Sequence, residues 1–199
     1  MNSIINILLN LFNILNNCKI KKLKNMKSLI FFTLLVISLC DNTKTVKELL
    51  LSHKLTKEGV ASIMAFIDSM SGFKPDYLDE ASQKRIGLSS TEYVKKTNDG
   101  TYSNFIKDNA KFGLIQWSYY SRKKALLKAC KGKIDDLKCQ INYFVYELKN
   151  NYRGVYYTTT TSNNINDCCT KVYRTFFRDQ KKKVDAKTFY TLCEKYKSN

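Results

Sequence analysis

The 199-residue chain is 44% hydrophobic and carries 34 Lys and Arg against 17 Asp and Glu, a formal net charge of +17. It has one His, which excludes a multi-histidine metal site, and only one Pro. The length suits one domain with an appendage, and the charge favours anionic partners: a bacterial wall, an anionic cell surface or nucleic acid.

Residues 1–40 hold five Lys and no acid, so the rest carries about +12. Within them, Met26-Lys27 precedes the apolar run Leu29–Leu39, with small residues Ser38 and Cys40 placed before a cut near Cys40–Asp41. This is a secretory signal pattern, and its apolar run is too short to span a bilayer. The expectation is a leader over residues 1–40, with Met26 as the true start, and an exported domain over 41–199. Nucleic acid is then a poor fit as partner. Five of the seven cysteines remain after the cut: Cys130, Cys139, Cys168, Cys169 and Cys193. Export predicts at least two disulfides among them. Adjacent Cys168 and Cys169 must each reach elsewhere, and no Cys-x-x-Cys spacing supports zinc. No metal and no cofactor is expected.

Val46–His53 reads as a short helix. Next comes a longer one, capped by Thr56, with Val60, Ile63, Ile67 and Met70 on one stripe and a stop at Ser71-Gly72 and Pro75. Asp79–Ile86 is a weaker helix. Ser89 and Glu92 form a capping box for a helix ending near Asn98-Asp99-Gly100. Tyr102–Ile106 reads as a short strand or turn. Ser121 reads as the cap of a basic helix running to Cys130. Its Arg122, Lys123 and Lys124 sit at the end the helix dipole disfavours, which suggests that they face a partner. Asp135–Lys149 is a clear amphipathic helix, Thr158–Ser162 a loop, and Asn166–Phe177 and Asp185–Tyr196 two closing helices. The fold class is mainly α, with one small hairpin as an option, and a monomer is expected.

Lys111–Ser118 reads Lys-Phe-Gly-Leu-Ile-Gln-Trp-Ser. Gly113 permits close backbone approach, the Gln116 amide suits sugar hydroxyls, and the Trp117 indole suits stacking on a pyranose ring. Several words occur in order: Ile63-Met64; Ser71-Gly72-Phe73-Lys74-Pro75; Asp99 to Phe105; Gly113 to Lys123; Asp136-Leu137 with Cys139-Gln140-Ile141; and Glu147-Leu148. Together they resemble the phage tail lysozyme family over about Leu49 to Asp179. Those domains open with a helix ending in Ala-Glu-Ser-Gly-x-Asn-Pro. They continue with Gly-Tyr-Gly-Leu-Ala-Gln-Trp-Thr, Ser-Arg-Lys and Gln-x-x-Phe-x-x-x-Glu-Leu, and close near Tyr-Glu-Arg-Pro.

The resemblance implies a lysozyme-like, mainly α domain acting on peptidoglycan glycan strands, with Gly113, Gln116, Trp117 and Arg122 as its substrate-binding residues. The departures are specific. The family's glutamate falls on Met70, its second on Phe177, and Gly-Tyr-Gly becomes Lys111-Phe112-Gly113. Glycoside cleavage needs a carboxylic acid to protonate the leaving oxygen, and Met has no proton to give. Asp68 lies about 200° round the helix from Met70. Three readings follow: a wall-binding domain with muramidase activity lost or much reduced; an active muramidase with its acid moved to Asp76, Asp79, Glu80 or Asp108; or a cationic protein acting on a membrane or other anionic surface.

Overall fold

The computed structural model describes residues 42–177 and 184–198. The expected leader, its start at Met26 and the cut near Cys40 lie outside them. The described residues form one compact unit. Among the described residues, no helix is long and apolar enough to cross a membrane.

Nine helices are described: α1 (42–52), α2 (Lys57–Ser71), α3 (Glu80–Ile86), α4 (Ser90–Asn98), α5 (Tyr120–Ala129), α6 (Leu137–Asn151), α7 (Arg153–Thr161), α8 (Ile165–Phe176) and α9 (Ala186–Ser198). Among the described residues, strand-like pairing is confined to single bridges, Leu78 to Phe112 and Phe112 to Trp117. The fold is therefore mainly α, and the hairpin reduces to the turn carrying the Gly113–Trp117 motif.

The spine is α2. Thr56 caps it by accepting from the Gly59 amide at 3.0 Å, and Gly72 ends it in the left-handed region at φ 59°. Its burial exceeds the one stripe read from the sequence. Ala61, Met64, Ala65 and Phe66 are buried along with Val60, Ile63, Ile67 and Met70, because α7, α8 and α9 pack around it. Gly59 permits the closest approach. A Cβ there would lie 2.0 Å from the Thr159 carbonyl oxygen of α7. That same oxygen accepts from the Thr56 amide at 3.0 Å.

Two elements differ from expectation. Thr158–Ser162 is not a loop: the threonines form the last turn of α7. Thr158, Thr159, Thr160 and Thr161 each donate a hydroxyl to the carbonyl four residues back, which accommodates a β-branched run in a helix. The basic helix α5 begins at Tyr120 with Tyr119 in the cap position and no side-chain cap, so Ser121 is not its cap.

Asp79, Ser89 and Asp136 do cap α3, α4 and α6, and Ser89 with Glu92 completes the capping box. Two disulfides are present. Cys130–Cys139 ties the end of α5 to α6, and Cys169–Cys193 ties α8 to α9. Cys168 is a buried free thiol.

Candidate functional site

The motif turn is built from the backbone outward. Phe112 and Trp117 exchange amide-to-carbonyl hydrogen bonds at 3.1 and 2.9 Å, enclosing a four-residue turn. The Gly113 amide donates to the Tyr77 carbonyl at 2.8 Å, fastening the turn to the segment after α2. Gly113 has φ +77°, and a Cβ there would lie 2.8 Å from Gln140 Oε1 and 3.1 Å from the Trp117 ring. Both its conformation and its surroundings demand glycine.

Gln140, on α6, organises the turn. Its Oε1 accepts from the Leu114 amide at 2.8 Å, while its Nε2 donates to the carbonyls of Pro75 at 2.7 Å and Ile134 at 2.6 Å. One buried amide thus joins three segments. Two turns along the same helix stands Glu147, itself buried. It accepts from Trp117 Nε1 at 2.8 Å and from both the Nε and a terminal nitrogen of Arg122, at 2.6 and 2.8 Å. Burial works against the Arg122 guanidinium, yet the hydrogen bonds and charge of Glu147 raise its pKa above the ordinary arginine value.

A second polar knot lies beside the first. Lys123 Nζ donates to Asp108, to the Tyr93 hydroxyl at 2.7 Å and to the Ala110 carbonyl at 3.2 Å, and lies 4.4 Å from the centre of the Phe105 ring. Asp108 also accepts from the hydroxyls of Tyr93 and Tyr102 and from the Ala110 amide. Burial pulls the Lys123 ammonium down to about 8, against the opposing pull of Asp108, and burial with the Asp108 charge pushes the Tyr93 phenol upward.

These placements change the reading of the sequence. Trp117 and Arg122 meet on Glu147, with Gly113 against the Trp117 ring, rather than around an open cleft. Trp117 has no exposed surface, so the expected stacking of a sugar on its indole is not available in this structure. Arg122 is engaged bidentately, and Lys123 is wholly buried. Only Lys124 of the basic trio points outward as expected. Buried acids on neighbouring elements, Glu147 and Asp108, outweigh the unfavourable dipole at this helix start.

Gln116 sits at φ +62° and is 5% exposed, with its Nε2 3.3 Å from the Gly113 carbonyl and its Oε1 without a partner. Met70 is also 5% exposed. The last turn of α2 is covered by α9: Tyr196 donates to Asp68 at 2.8 Å and meets Phe73 edge-to-face. Phe177, where the sequence reading set the family's second glutamate, is buried against Phe66, Tyr173 and Phe189.

Among the acids named as replacements, Asp108 is held by Lys123 and two tyrosines, and Asp79 caps α3. Asp76 and Glu80 are exposed. Sequence reasoning did not single out Gln140 and Glu147 as site residues. Their spacing of seven, which puts both on one face of α6, was the available signal.

No curated protein and no solved structure matches the chain significantly. The family model for phage tail lysozyme matches residues 41–191, which takes in the α2 spine, the Gly113–Trp117 turn, the Arg122–Glu147 pair, α8 and the first part of α9. On that match the chain belongs to the phage tail lysozyme family.

Proposed function

We propose that this is an exported lysozyme-like domain that binds the glycan strands of peptidoglycan and has lost most or all muramidase activity. The family supports the peptidoglycan setting. Export is supported by the Leu29–Leu39 run behind Lys27 and is compatible with two disulfides. The observation that carries the loss of activity is Met70. The residue at the family's acid position has no proton to donate, and it is buried in an apolar core with Phe177 buried at the second position. A positioned general acid contributes roughly 10²–10⁴ in rate.

One observation favours the reading of an active enzyme with a moved acid. Asp76 and Glu80 are exposed on either side of Leu78, which bridges to Phe112 of the motif turn. Turbidity of purified bacterial walls separates the two. The expected result is retention of the protein on insoluble peptidoglycan with no clearing. Brisk clearing, abolished by Asp76→Asn or Glu80→Gln, overturns the loss of activity, and absence from the peptidoglycan pellet overturns wall binding.

A further inference from the structure

An open groove of about 830 Å³ lies between α5 and α6, away from Met70 in sequence and unrelated to the family's acid position. Its floor is apolar: Ala125, Ala129 and the Cys130–Cys139 disulfide. One wall is aromatic. Tyr143 and Tyr146 stack with centroids 6.4 Å apart and planes 19° apart, and Tyr146 is 59% exposed. The rim is basic. Lys128, Lys131, Lys133 and Lys138 all line it and are exposed, and none has a carboxylate partner among the described residues. One acid, Asp136, lines the groove as well, but it caps α6 through the Cys139 amide, and Asp135 accepts from Asn98, so neither pairs directly with a rim lysine.

The groove is also held in shape. The disulfide fixes one end, and Tyr143 is anchored from behind by its contact with Trp117 and by its hydroxyl, which donates to the Arg122 carbonyl at 3.2 Å. The buried motif thus supports the groove's aromatic wall. A preformed trough of this kind avoids part of the ordering cost of binding, and its size lies within the range of ligand sites.

We propose that this groove binds an acidic glycan: a pyranose chain carrying carboxylates, with ring faces against Tyr146 and anionic groups on the lysine rim. Charge complementarity selects an anion, and the flat exposed ring beside an apolar floor selects a ligand with apolar ring faces over a simple polyanion. The choice of carbohydrate rests on the peptidoglycan reading above; the choice of an anion rests on the lysines alone.

The test is calorimetric titration of the full chain with tetragalacturonate and with its methyl ester, which has the same rings without the charges. Tetragalacturonate is expected to bind more tightly than the ester, and to weaken with added salt. The triple variant Lys131→Gln, Lys133→Gln, Lys138→Gln is expected to lose about tenfold in affinity, the combined scale of three exposed ion pairs. Tyr146→Ala should lose affinity for both the acid and the ester. All four positions are on the surface, and unchanged melting confirms that the variants fold.

Undiminished binding by both variants overturns the proposal. So does equal binding of polyglutamate or of a single-stranded oligonucleotide that depends on the lysines and not on Tyr146. A pull-down on insoluble peptidoglycan with the same variants separates this site from the wall reading. If the variants lose tetragalacturonate but are retained on peptidoglycan as well as the parent, the groove stands and wall binding runs through another surface; if they keep both, the groove proposal fails and wall binding stands. If the parent binds tetragalacturonate but not peptidoglycan, the groove stands and the wall reading fails.

Discussion

Glu147→Gln is the sharpest probe of the motif, because it replaces one carboxylate oxygen and removes the charge at the acceptor of three hydrogen bonds. Glu147 accepts from Trp117 once and from Arg122 twice, with its side chain 1% exposed. A glutamine keeps the shape but offers one acceptor oxygen and turns an NH2 toward existing donors. If the oxygen stays on the indole it also keeps one terminal nitrogen of Arg122, but the amide nitrogen then faces Arg122 Nε and the guanidinium charge is left uncompensated in a largely buried place. Removing one partner of a buried ion pair costs about 3–5 kcal/mol. Against a total stability of about 5–15 kcal/mol for a domain, that is a large share. For a domain of this size the loss corresponds to a fall in melting temperature of roughly 6–20 °C. Thermal melting followed by circular dichroism and by the fluorescence of Trp117, the sole tryptophan, measures it. The double variant Arg122→Met, Glu147→Leu removes both charges and is expected to recover most of the loss. A drop below about 1 kcal/mol in Glu147→Gln would refute the view that this pair holds the turn.

Three further outcomes are expected. Gly59→Ala gains about 1 kcal/mol of helix propensity but drives a methyl into the Thr159 backbone and strains the Thr56–Thr159 hydrogen bond, for a net loss of about 1–3 kcal/mol; urea midpoints equal to the parent's would contradict the close approach. Met70→Glu is expected to confer some wall clearing, because apolar surroundings raise a carboxyl toward a proton donor, at a cost of roughly 1–3 kcal/mol for burying a polar group; a stable variant with no clearing at any pH would count against Met70 as the family's acid position. Between the folded Lys123 value of about 8 and the unfolded lysine value of about 10.4, the unfolded chain holds a proton that the folded chain has released, so this group makes stability rise with pH. The raised Tyr93 phenol acts in the opposite direction above pH of about 10. Urea midpoints compared between the parent and Lys123→Met, Asp108→Leu should therefore differ in slope between these pH values, and parallel slopes would contradict the assignment.

Local chemistry made much of the helical framework readable. The Thr56 cap, the Ser89–Glu92 capping box and the Gly72 stop all act within a few residues of chain. What could not be read depends on pairs brought together by packing. Lys123 finds Asp108 fifteen residues away and Arg122 finds Glu147 twenty-five away; on a helical wheel both cations look like surface. The threonine run misled for a related reason: α7 is held by packing against α2, α6 and α8, and its threonine hydroxyls merely find acceptors four residues back. Trp117 looked like a platform because an indole suits both roles; a buried acceptor in Glu147 decides which.

The neighbouring cysteines of α8 set a problem of register for oxidative folding. Successive residues on a helix point about 100° apart, so only one of Cys168 and Cys169 can face Cys193 once α8 is formed. The native pair is Cys169–Cys193, while Cys168 turns toward the carbonyls of Thr158 and Ser162. In the unfolded chain the two thiols compete almost equally, and the wrong choice would rotate α8 and bury its polar side. The helix therefore acts as the proofreader of the disulfide, and the error is corrected only while a thiol can still exchange. After folding, burial pushes the Cys168 thiol up to about 11 and the native bond loses its nearest attacking thiolate.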